Sequence, residues 1–145
     1  MLAALTVALL VAACGGHAAT RKDVIARGNG ICTAALASIR AVPPPAGASA
    51  TALAIYLKKV RPIIDHEASQ LAALPRPTER KATLDAFVGA FDKTDQAYRR
   101  ATAAASHGNA SDAAQALAAL RSSRVAPLAR AYGLTDCTGT VSSVS

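Results

Sequence analysis

The sequence predicts an all-α fold: an up-down-up-down four-helix bundle closed by one disulfide. Three observations carry this. Apolar residues recur at intervals of three and four, the period of one helix face. Pro43, Pro44 and Pro45, then Pro75 and Pro77, then Gly108 divide that pattern into four segments of similar length. No stretch alternates apolar and polar residues with β-branched enrichment, so no strand is expected. The 145 residues amount to one domain. The chain is 52% hydrophobic yet 3% aromatic, and about a quarter of it is alanine. That composition excludes disorder as the main state. It predicts a core of Leu, Ile, Val and Ala.

Residues 1–13 carry no charge. The run is too short to span a bilayer, which needs about 20 residues. It has the length of the apolar core of an export signal. The sequence Val11-Ala12-Ala13-Cys14 resembles a bacterial lipobox. In signals of that kind the cysteine thiol takes a diacylglycerol, the chain is cut before it, and the new amine is often acylated. The resemblance implies a signal peptide over 1–13 and palmitate-type lipidation at Cys14. Several acyl chains would then hold the chain at a membrane, since stable anchoring needs more than one. One departure is the missing Lys or Arg ahead of the apolar run, from which a start upstream of Met1 is expected. The competing reading is an apolar helix ending in a buried cysteine. Residues 14–19, with Gly15 and Gly16, read as a short tether to a bundle domain over 20–137.

The first helix is expected over 20–41, with Val24, Ile25, Ile31, Cys32, Ala35, Leu36 and Ile39 inward. Gly28 and Gly30 either admit a close neighbour or simply weaken the helix, each by up to about 1 kcal/mol. Pro43 ends it, because proline lacks the amide donor and clashes with the preceding turn. The second helix is expected over 51–74, capped by Ser49 or Thr51. Its seam is Leu53, Leu57, Val60, Ile64, Glu67, Leu71 and Leu74, spaced alternately four and three. Pro62 should kink it near 58–61. The third helix is expected over 78–106, with Thr78 as N-cap and Leu84, Phe87, Val88, Phe91, Thr94 or Asp95, and Tyr98 inward. The fourth is expected as one helix over 109–133, capped by Asn109 and ended by Gly133 in the left-handed conformation. Its inner face is Leu117, Leu120, Val125, Leu128 and Tyr132, with a kink at Pro127. The small polar residues 138–145 read as a disordered tail.

Cys32 and Cys137 remain once Cys14 is assigned. An even pair in an exported chain points to a disulfide. In an up-down bundle the end of the fourth helix lies beside the start of the first, so the topology brings the two sulfurs to one end. Closing a loop of about 100 residues contributes up to about 4.7 kcal/mol in a chain-entropy model. Two buried free thiols are the alternative. A thiol catalyst is disfavoured, because the apolar neighbours of Cys32 raise a thiol pKa rather than lower it.

Gly30-Ile31-Cys32, with Tyr132-Gly133-Leu134-Thr135-Asp136-Cys137, resembles a pattern in uncharacterised helical lipoproteins of high-GC Gram-positive bacteria. Such groups share an early cysteine, proline breaks between helices, and a late cysteine after Tyr-Gly. The resemblance spans the whole mature chain. It implies an exported bundle with one disulfide, and no activity.

The sequence offers little chemistry. Of His17, His66 and His107, only His66 is expected inside a helix, and it has no ligand at the three- or four-residue spacing a helical metal pair needs. A di-iron bundle would need Glu-x-x-His on two helices, and neither occurs. Asp95 and Glu67 fall on the inner stripes, and Arg99, four residues after Asp95, makes a helical ion pair the expected state. No glycine-rich phosphate loop is present. Sixteen Lys and Arg against nine Asp and Glu leave a charge of +7. The basic clusters are Arg99-Arg100, then Arg121, Arg124 and Arg130, with Lys58, Lys59 and Arg61 on the second helix. Few aromatics are available for base stacking, so nucleic acid is not an expected partner. Outside the membrane the available anionic partners are lipid headgroups and wall polymers, and the competing reading of the charge is plain solubility from a solvated polar face.

The reading that results is a non-enzymatic, membrane-anchored envelope lipoprotein on the extracytoplasmic side, without cofactor, acting by contact with a protein or polymer. The alternative is a helical module that takes a small apolar ligand into a slot left by alanines.

Overall fold

A computed structural model describes residues 18–47 and 49–139. It contains α1 (Arg21–Arg40), α2 (Ala50–Ala72), α3 (Lys81–Ser106), α4 (Ala110–Ala118) and α5 (Val125–Tyr132). Two 3-10 turns, Ala119–Ser122 and Thr135–Thr138, follow α4 and α5. Among the described residues there is no strand. The four legs of the bundle run up, down, up and down, and the fourth leg is α4, the first 3-10 turn and α5 together. The expected signal peptide at 1–13 and Cys14 lie outside the described residues.

Local chemistry sets most boundaries. Thr20 accepts a hydrogen bond from the Asp23 amide, and the Asp23 carboxylate accepts one from the Thr20 amide, a full capping box. Ser49 caps α2, its hydroxyl accepting from the Ala52 amide at 3.2 Å. Asn109 caps α4 by accepting from the Asp112 amide at 3.0 Å. Gly133 closes α5 at φ 109°, a conformation that favours glycine. α2 runs through Pro62 as one helix.

Three expectations are corrected. Thr78 does not cap α3. The helix begins at Lys81, because Arg80 is left-handed at φ 54° and interrupts it. Tertiary contacts hold that turn: Arg80 donates to the Ala131 carbonyl and Arg21 pairs with Glu79 at 3.3 Å. The fourth leg is not one helix either. Ser123 is extended, with φ −62° and ψ 137°, and separates the 3-10 turn from α5. In an unbroken helix the Pro127 ring would collide with the Ser123 carbonyl. With the break at Ser123, Pro127 falls in the first turn of α5, where an amide would have no helical acceptor in any case. Finally, the disordered tail expected over 138–145 does not include Thr138, and residues 140–145 lie outside the described residues. Thr138 belongs to the last 3-10 turn and donates to the Thr135 carbonyl at 2.8 Å.

α3 is the hub, packed against α2, α4 and α5, while α1 packs on α2 and on the last 3-10 turn. The α2 seam from Leu57 to Leu74 is buried as expected, Glu67 included, and Tyr56 joins it. All five aromatic residues are in the core. Phe87 and Phe91 stack along α3 with ring centres 6.2 Å apart. Burying a side chain of that size contributes roughly 1.5–3 kcal/mol.

Candidate functional site

Cys32 and Cys137 are joined as a disulfide, with Cα atoms 5.0 Å apart and both residues fully buried. They meet beside the middle of α1 rather than at one end of the bundle. The chain turns at Gly133 and runs back along α1. Leu134 packs over Gly28, where an added Cβ would stand 2.5 Å from a Leu134 methyl. The Asp136 amide then donates to the Asn29 side chain at 3.2 Å. Gly30, by contrast, faces open space. The two glycines therefore divide the alternatives the sequence left open.

The end of the bundle that follows residues 14–17 is tightly held. Arg21 donates to the Tyr132 carbonyl and lies 5.4 Å over the Tyr132 ring. Burial raises the Tyr132 hydroxyl pKa, and the Arg21 charge opposes that rise. Ala18, Ala19 and Thr20 share a surface hollow with Pro75, Pro77 and Glu79.

Of the two inward acids, Asp95 belongs to an ion-pair network. Asp95 is buried and accepts from Arg99 Nε at 2.8 Å, as the four-residue spacing predicts. Arg99 also pairs with Asp65 of α2 at 3.0 Å, and Arg61 pairs with Asp65 at 3.3 Å. The network joins α2 to α3. Burial, followed by the neighbouring Asp65 carboxylate, raises the Asp95 pKa above its ordinary value. Tyr98 is raised much further, chiefly by burial, with Tyr56 and Glu67 adding to it. His66 and His107 are exposed, and His17 lies outside the described residues. Among the described residues, no three His, Cys, Asp or Glu side chains gather as metal ligands. No described helix is long and apolar enough to cross a membrane.

A half-open groove of about 620 Å³ lies between α3 and the fourth leg. Ala86, Gly89, Ala90, Lys93, Thr94, Ala97 and Arg100 form one stripe of α3, and the opposite wall includes Leu120, Ser123, Arg124 and Leu128. The groove follows from two local facts. Small α3 residues leave space where larger ones would meet the fourth leg, and the break at Ser123 displaces that leg. No Asp or Glu among the described residues lines it. The sequence does not show where such a groove lies. It places Arg100 and Arg124 in separate basic clusters, and the unpredicted break brings them to one site with Lys93. The available signal was Ser122-Ser123 four residues ahead of Pro127.

Comparison with protein-family models, with curated proteins and with solved structures finds no match to this chain.

Proposed function

We propose that this chain is a non-catalytic envelope lipoprotein, anchored outside the cell membrane by a lipid on Cys14 and acting by contact with another envelope protein or an anionic polymer. The observation that carries the reading is the buried cystine. A cystine of this kind persists in oxidising compartments, which agrees with an exported chain whose third cysteine follows Val11-Ala12-Ala13. Residues 15–19 reach at most about 18 Å when extended, so the bundle would stand close to the headgroups. Cys14→Ala should move the protein from the membrane fraction to the soluble extracytoplasmic fraction. Undiminished membrane retention would contradict the anchor.

The groove between α3 and the fourth leg favours a second reading, a module that holds a small apolar ligand. Its volume lies within the roughly 300–1,000 Å³ of ordinary ligand sites.

A further inference from the structure

We infer that the groove between α3 and the fourth leg binds a single-chain amphiphile with a phosphate head, its tail on the alanine floor and its head against Lys93, Arg100 and Arg124. This rests on the ligand-binding reading and gives it a ligand class.

Three features of the site select that chemistry. Ala86, Gly89, Ala90 and Ala97 give the α3 side of the groove a small-residue apolar lining. From Ala86 to Arg100 it follows α3 for about 21 Å at 1.5 Å per residue, which suits an elongated body. Its cations are uncompensated. Among the described residues, Lys93, Arg100 and Arg124 form no ion pair, whereas Arg21, Arg61, Arg76, Lys81 and Arg99 all do. Two acids stand beside them, each with a partner of its own: Asp112, which shares a neighbouring hollow with Arg100, accepts from Asn109, and Asp92, next to Lys93 in the chain, accepts from Gln96. A phosphate monoester carries a charge near −2 and accepts charge-assisted bonds from arginine. Three cations without an ion pair line an acid-free groove and complement it.

The test is calorimetric titration of the full chain carrying Cys14→Ser, so that no attached acyl chain competes. The probes are dodecyl phosphate below its micellar concentration, dodecanol and inorganic phosphate. Dodecyl phosphate should bind saturably, one per chain, and each of the other two at least about tenfold more weakly. Lys93→Glu combined with Arg124→Glu should weaken it by about tenfold or more. Gly89→Leu should abolish binding by filling the floor. A Cβ at Gly89 meets nothing within 4 Å, and leucine is the better helix former, so that variant should melt no lower than the parent. Absence of saturable binding overturns the inference. So does equal binding of inorganic phosphate, which marks a bare anion site, or of dodecanol, which marks a greasy surface. Unchanged affinity in both variants places the ligand elsewhere and also overturns it. Membrane release of Cys14→Ala tests the anchor separately, so failure of one leaves the other standing.

Discussion

Two positions separate Gly28 from Gly30 on α1, yet one is buried under Leu134 and the other faces open space. The propensity cost of glycine is the same at both, up to about 1 kcal/mol against alanine. Gly30→Ala should therefore stabilise the protein by about 0.5–1 kcal/mol in urea titrations. Gly28→Ala should destabilise it, because a methyl at 2.5 Å from a fully buried leucine overpacks the site, at about 1–3 kcal/mol. Equal effects at the two positions would refute the assignment. The sequence displayed both glycines but not their surroundings, since Leu134 comes 106 positions after Gly28. Asp95 was more legible, because its partner Arg99 lies within one helical turn. Its titration has a definite sign. A carboxyl whose pKa rises on folding binds its proton more tightly in the native state, so its contribution to stability falls as pH rises through the window above 3.8. Asp95→Asn removes that fall. The stability of this variant relative to the parent should increase between acid and neutral pH, and a constant difference would contradict the direction.

Helix elements were readable where one face repeats. The α2 and α3 stripes needed only spacing, and Ser49, Asn109 and Gly133 marked ends by their own chemistry. Two boundaries were hidden, the first because a distant contact sets it and the second because its local signal lies inside a continuous apolar pattern. Arg80 adopts its left-handed turn within reach of Ala131, far along the chain. The fourth leg breaks at Ser123, although the apolar pattern continues across it. The groove was hidden with that break. Pro62 makes a further test at this scale. It lies exposed inside α2, where it removes an amide bond to Lys58 and crowds its carbonyl. Pro62→Ala should raise stability by up to about 3 kcal/mol. A lower urea midpoint would show that the bundle depends on the local geometry proline imposes.

At the scale of the molecule, the cystine ties the first leg to the returning end of the chain across 105 residues. Cys32→Ala with Cys137→Ala should lower stability by about 2–4 kcal/mol, a large share of the roughly 5–15 kcal/mol of a typical domain. An unchanged melting temperature would deny the bridge that role. The net charge of +7 acts only at short range, because salt screens beyond about 8 Å. Attachment therefore falls to the lipid, on this reading. Intact mass spectrometry of the protein extracted from its producing cell bears on this most directly. The chain should begin at Cys14, carry acyl mass on that residue, and be two hydrogens lighter than its reduced form. An uncleaved Met1 terminus with a bare Cys14 thiol, recovered from a soluble pool, would contradict it.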